Sequence, residues 1–250
     1  MKLVANLRFY ILAKSVLLSL LVVSLLRTHA GSDSLFYLQA GQSFGYLAVL
    51  YLYLALLISP LLRLLPTTTF GEALKFGRRA IGVSAAYFAS LHTLIVIGWE
   101  LHGINSLTLL PNRFLVALGL GGVALVILLA QAATSFDSAI TAMTFRRWKQ
   151  LQRLVYIAGL AIIVHVWMIG SHSASTSVQI TGFILLALLF GLEAYRFSQN
   201  LALKFNGLDH QELIITLAVT TWLVLIGGLL ALPKLSPSLH NHQHLERHHE

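Results

Sequence analysis

A chain of 250 residues that is 57% hydrophobic and only 10% charged, with a mean hydropathy of +0.78, lies outside the range of soluble globular proteins. At roughly 20 residues per crossing there is room for about seven or eight membrane spans and none for a soluble catalytic domain. The lack of cysteine excludes disulfides, thiolate metal sites, iron–sulfur clusters and covalent haem attachment. The net charge of +8 falls mostly in short loops, where it acts as a topogenic signal rather than as a nucleic-acid surface.

In chain order, apolar runs of spanning length occupy residues 10–26, 46–65, 80–101, 114–134, 154–170, 178–197 and 213–232. Connectors rich in turn-forming or charged residues separate them, at 27–43, 66–79, 102–113, 135–153, 171–177 and 198–212. No A-x-A-like cleavage site follows the first run, so it reads as a retained helix. The expected fold is therefore all-α: a polytopic membrane helix bundle of six core spans and a seventh candidate. It forms one domain over residues 1–232, followed by a His-rich, disordered tail over 233–250. That tail carries five histidines in HNHQHLERHHE, without the thiols or spaced carboxylates of a built metal site.

Lysine and arginine near span ends resist translocation and so report orientation. In this arrangement thirteen of the 17 basic residues collect on the N-terminal side: Lys2, Arg8, Lys14, Arg63, Lys75, Arg78, Arg79, Arg146, Arg147, Lys149, Arg153, Arg196 and Lys204. Arg27, Arg113, Lys234 and Arg247 make up the four on the other. The expectation is a multi-pass membrane protein with its N-terminus in the cytoplasm.

Two histidines stand inside the apolar runs, His92 in LHTLI and His165 in IIVHVWM. Hydrocarbon offers imidazole no water, so a histidine at that depth has a partner or a task. The third and fifth spans run parallel from the basic side. At 1.5 Å per residue, His92 lies about 20 Å beyond Arg79 and His165 about 27 Å beyond Arg147, a difference that helix tilt absorbs. Two imidazoles on neighbouring helices are the arrangement that six-coordinate haem iron requires. His92 and His165 are therefore the candidate metal ligands of one non-covalent, bis-histidine haem b. Gly82, Ala85 and Ala89 share a face with His92, as Ala158 and Ala161 do with His165; small residues there admit a porphyrin or simply pack helices closely.

Arg113, which opens the fourth span two residues after Pro111, is a candidate cofactor-binding residue for a haem propionate, or an interfacial anchor. Glu100 and His102 read as solvated rim, Glu193 as snorkelling or as a partner of Arg196 three residues on, and Gly119, Gly121 and Gly122 as close-packing glycines. No G-x-G-x-x-G, P-loop, G-x-S-x-G or H-E-x-x-H occurs, so the chain binds no dinucleotide through a Rossmann unit of its own and hydrolysis has no candidate residues. Electrons have to come from elsewhere.

Four stretches, LALLISPLLRL (54–64), RRAIGVSAAYFASLHTLIVIGWELHG (78–103), NRFLVALG (112–119) and TSFDSAITAMTFRRWKQLQRLVYIAGLAIIVHVWM (134–168), together resemble the MsrQ family of ferric-reductase-like transmembrane proteins. The family pattern is roughly RR-x-x-G…LH on one helix and RRW-x-x-LH-x-x-VY…H on another. The resemblance implies a haem b electron carrier in the inner membrane with no catalytic domain of its own. It is supplied by a cytosolic flavin reductase or quinol, has FMN or quinone as further cofactors, and passes electrons to a periplasmic molybdopterin reductase that repairs methionine sulfoxide. The family's ligand histidines fall on His92 and His165, and Arg78, Arg79, Arg113, Arg147, Trp148 and Tyr156 match other motif positions. Gln152 stands where the family has a histidine, which argues against a second haem, and the run at 213–232 is an addition. Two other readings compete with the electron carrier: a redox-silent scaffold or assembly factor that kept the fold, and a transporter with a proton relay. The latter lacks paired helix interruptions.

Overall fold

The structure, a computed structural model, describes residues 2–64, 69–169 and 176–204. Every regular element among them is helical: α1 (Lys2–His29), α2 (Asp33–Leu64), α3 (Thr69–Ile95), α4 (Asn112–Ala133), α5 (Asp137–Ala142), α6 (Phe145–Arg153), α7 (Val155–Ile169) and α8 (Thr176–Lys204), with a π-helical turn at Val96–Glu100 and a 3₁₀ segment at Ile104–Leu109. Five stretches are long and apolar enough to cross a membrane: Asn6–His29, Asp33–Leu62, Gly71–Glu100, Asn112–Ala133 and Phe145–Ile169. They overlap the first five expected runs, four of which were drawn one to three residues too far at their C-terminal ends, and the protein is an all-α, multi-pass membrane protein. The chain divides into two units, Met1–Ala174 and Ser175–Glu250. In the second, α8 contains the sixth expected run and the Glu193–Arg196 ion pair at 2.7 Å; the run at 213–232 and the tail at 233–250 lie outside the described residues.

Three connectors prove to be mostly α-helix, and in that at 66–79 residues 69–79 are the first three turns of α3. Residues 33–43, read as a loop, are the first three turns of α2. Ser32 Oγ accepts the Leu35 N–H at 3.2 Å, and Asp33 places a negative charge in the first turn, so the helix starts before its apolar stretch does. The stretch 135–153 holds α5 and α6, and α6 passes into α7 through a single turn in which the Leu154 N–H donates to Leu151 O at 3.1 Å.

Within the first unit, α3 is central. It packs against α1, α2 and α4, and α4 packs in turn against α7. Ala40, Phe44, Ala48 and Phe88 form the buried seam between α2 and α3; Ala124, Ala158 and Ala161 form that between α4 and α7. Alanine at these points brings backbones close, which is how helices associate where lipid removes the hydrophobic drive. Polar groups do the same between α1 and α3. Ser15 Oγ donates to Ser84 Oγ at 2.8 Å with both residues buried, and Ser19 meets Tyr87 Oη at 2.8 Å.

Pro60 sits inside α2 and leaves a carbonyl one turn earlier without its helical donor. In the same turn, one residue before the carbonyl that Pro60 leaves open, Arg78 Nε donates to Ala55 O at 3.0 Å and ties α3 to α2. Arg79 Nη1 pairs with Asp137 at 2.9 Å and lies 5.3 Å over the Trp148 ring; Arg8 reaches the same aspartate at 3.3 Å, and Trp148 Nε1 donates to Thr134 O at 3.1 Å. The basic and aromatic motif residues thus tie helix ends together at the basic side.

Candidate functional site

His92, near the end of α3, and His165, near the end of α7, face each other with ring centroids 6.4 Å apart and planes at 84°. Each ring is tied at one nitrogen. His92 Nδ1 hydrogen-bonds Gly41 O of α2 at 2.8 Å, and His165 Nδ1 hydrogen-bonds Ala117 O of α4 at 2.7 Å. A carbonyl only accepts, so Nδ1 carries the proton in both rings and Nε2 keeps its lone pair. Nε2 of each ring hydrogen-bonds to no described residue. This is the preparation that metal-ligating histidines receive from their outer partners: tautomer fixed, ring orientation fixed, one nitrogen ready to coordinate.

Beside each carbonyl stands a glycine. Gly45 follows Gly41 by four residues, Gly121 follows Ala117 by four, and that interval puts each carbonyl and glycine on one helical face. A Cβ at position 45 would stand 3.1 Å from His92 Nδ1 and 3.3 Å from Cε1; at position 121 it would stand 2.9 Å from both Cε1 and Nδ1 of His165. The rings lie flush against the backbones of α2 and α4 because no side chain intervenes. The same device is built twice, once on the α2/α3 pair and once on the α4/α7 pair.

The spacing fits a shared metal. Two metal–nitrogen bonds of about 2 Å, with about 1 Å from each nitrogen to its ring centre, place two coordinated imidazoles roughly 6 Å apart centre to centre. Among the described residues there is no group of three or more His, Cys, Asp or Glu able to hold a metal by itself. A two-histidine site therefore suits a metal whose other positions are filled by a macrocycle, and the donor set, the glycine cradles and the free Nε2 atoms fit a haem.

The small-residue stripes serve packing. Ala85 and Ala158 are fully buried, and Ala161 packs with Ala124 between α4 and α7. Room beside the imidazoles comes instead from Gly45 and Gly121. Of the three glycines read together as packing residues, Gly121 touches His165 while Gly119 and Gly122 have nothing within 4 Å of a built Cβ. Gly41, Gly45 and Ala117 were not singled out from sequence; the available signal was the repeated spacing of a small residue followed four positions later by glycine.

Arg113 is not in contact with the histidines. It lies four residues before Ala117, on the same face of α4 and about 6 Å nearer the helix start, with its guanidinium 4.8 Å from the Phe114 ring. Gln152 is remote from the pair, on α6, where its buried Nε2 has no hydrogen-bond partner and its backbone carbonyl accepts Gln131 Nε2 at 3.3 Å. Glu100, read as rim, is swung by the π-helical turn against α2, its Oε1 2.5 Å from where a Cβ on Gly41 would be. In the same turn Trp99 stacks on Tyr37 at 4.7 Å.

With this geometry in view, the comparisons with known proteins are informative. Residues 44–164 match the profile of the ferric reductase like transmembrane component, a stretch that includes His92 and stops one residue short of His165. The MsrQ of Cronobacter sakazakii, a protein-methionine-sulfoxide reductase heme-binding subunit, is 34% identical over 145 residues, covering 57% of this chain and 70% of the relative.

The chain belongs to the MsrQ family.

The MsrQ of Bordetella pertussis is also 34% identical, over 129 residues that cover 50% of this chain and 59% of the relative, so the match takes in little more than half of that protein. The magnetosome protein MamZ of Magnetospirillum gryphiswaldense is 30% identical over 119 residues, 47% of this chain and 18% of the relative. No solved structure gives a significant match. Membership in the MsrQ family agrees with the motif resemblance and with a bundle in which the two motif histidines face each other.

Proposed function

We propose that this MsrQ-family chain is a haem-binding, electron-carrying subunit of an oxidoreductase system in a bacterial inner membrane. The observation that carries the reading is the His92–His165 pair: two rings 6.4 Å apart across the bundle, each with Nδ1 tied to a main-chain carbonyl. In this reading His92 and His165 would hold a single haem b, which when bound would supply reversible one-electron chemistry without a bond being made or broken in the protein.

The chain's own residues do the rest. Gly41 O and Ala117 O hold the imidazoles in the Nδ1–H tautomer and raise the basicity of Nε2. Gly45 and Gly121 let both rings seat against the backbone. Arg113, with its fork of donors one turn along the α4 face, holds a propionate. Apolar helices surround the pair. Gln152, in place of the family histidine, limits the chain to one haem.

By analogy with its relatives, the acceptor is a periplasmic methionine sulfoxide reductase and the donor a cytosolic flavin reductase or a quinol, with FMN or quinone as a further cofactor at the donor side. The excess of Lys and Arg at one end of the bundle supports a cytoplasmic N-terminus.

The test is optical. Protein purified from haem-replete cells is expected to give b-type bands in a reduced-minus-oxidised difference spectrum at about one haem per chain, and His92→Ala and His165→Ala should each abolish them. Haem-free wild-type protein would overturn the reading and leave a redox-silent scaffold.

A further inference from the structure

Helix α6 has two unlike sides. One is built into the bundle: Trp148 Nε1 donates to Thr134 O at 3.1 Å, and Gln131 Nε2 donates to the carbonyls of Leu151 and Gln152 at 3.2 and 3.3 Å. On the other, Arg146, Lys149, Gln150 and Arg153 recur at helical spacing, are all exposed, and line a pocket of about 210 Å³. Among the described residues none of the three cations pairs with a carboxylate, and Asp137, the acid that precedes this helix, is held by Arg8 and Arg79. Like charges one turn apart repel, so an arrangement of this kind is relieved by an anion.

The surroundings narrow the anion's class. Through the single turn at Leu154, α6 continues into α7, so the pocket closes the basic end of the membrane-crossing stretch Phe145–Ile169. Four and seven residues beyond Arg153, Ile157 and Leu160 are 54% and 62% exposed, forming an apolar stripe that leads away from the cations along the outside of the bundle. A soluble phosphate has no use for such a stripe; an acyl chain does. Two guanidiniums and an ammonium match the oxygens of a phosphodiester, and basic pockets at the rim of helical bundles are where anionic headgroups settle.

We propose that the Arg146, Lys149, Gln150 and Arg153 pocket binds the headgroup phosphate of an acidic phospholipid, with an acyl chain lying along Ile157 and Leu160. The site is independent of the histidine pair and stands whether or not that pair carries haem.

Native mass spectrometry of the full chain, titrated with phosphatidylglycerol and with phosphatidylethanolamine, tests it. Wild-type protein should retain phosphatidylglycerol roughly tenfold or more in preference, and the triple variant Arg146→Gln, Lys149→Gln, Arg153→Gln should lose that preference while keeping its helical circular dichroism. If the triple variant does not fold, Arg153→Gln alone should still lower phosphatidylglycerol retention several-fold in the same titration. Unchanged retention in the folded variants overturns the proposal. So does equal loss in Lys14→Gln, Lys75→Gln, which removes charge elsewhere at the same end, because general attraction to anionic lipid then suffices. Displacement of the lipid by equimolar inorganic phosphate or flavin mononucleotide overturns it too, by assigning the pocket to a soluble phosphate.

Discussion

The α2/α3 and α4/α7 pairs solve one problem with the same parts and different tolerances. Each presents a histidine on its second helix, braced by a carbonyl of the first and seated on a glycine four residues further along. On α2 the added Cβ would come to 3.1 Å from the ring, a contact relieved by a shift of a few tenths of an ångström; on α4 it would come to 2.9 Å from two ring atoms, where the ring or the helix has to move. The α2/α3 side also receives the π-helical turn that folds Trp99 and Glu100 back over α2, whereas α4 begins directly after Pro111. The comparison teaches that the two imidazoles are held alike but not with equal slack, and that the α4/α7 side is the tighter.

The largest effect should come from the rings themselves. His165→Ala and His92→Ala are each expected to lower the haem-to-protein ratio of purified protein at least about tenfold, since a single imidazole leaves the other coordination position open. A variant retaining full haem would break the equivalence of the two sides.

Next is Gly121→Ala. Overpacking of this kind typically costs about 1–3 kcal/mol, and haem retention and thermal stability should both fall, with helix content preserved in circular dichroism. Gly45→Ala should act in the same direction but more weakly; a Gly45→Ala defect larger than that of Gly121→Ala would reverse the ranking drawn from the distances. Arg113→Gln should leave haem bound and lower its midpoint potential, because losing a cation near a propionate disfavours the reduced form. The shift is expected on the order of tens of millivolts, measured by redox titration, where 59 mV is a tenfold change for one electron. Smallest of all, Gly119→Ala, two residues from Gly121 on an exposed face, should match wild type in haem content and melting temperature.

Much of this was legible before any coordinates. Uninterrupted apolar runs declare membrane helices because lipid forbids unsatisfied backbone, and five of the expected runs coincide with described spans to within a few residues at their C-terminal ends. His92 and His165 declare themselves because little else polar lies at their depth. Less visible were the parts whose role is to be absent or to be backbone. A carbonyl at Gly41 or Ala117 has no sequence signature, and a missing Cβ at Gly45 or Gly121 reads the same as any packing glycine. The polar residues 33–43 concealed the start of α2 because Gly, Ser and Gln there resemble a turn, while the cap at Ser32 and the packing of Ala40 against α3 make it helix. The exit of Glu100 toward α2 depends on a π-helical turn that a 3.6-residue period does not encode.

The bracing of both imidazoles by main chain rather than by carboxylate has a bearing on how the centre ages under mutation and how it is poised. The braces are peptide oxygens, so neither ring's orientation hangs on a replaceable acid. Being uncharged, such an oxygen pulls less on the Nδ1 proton than a carboxylate does and withholds imidazolate character from the rings. On the proposed reading, an iron held by these rings would be easier to reduce than one held by acid-paired histidines, as would suit a carrier that accepts electrons readily and gives them up only to a stronger oxidant.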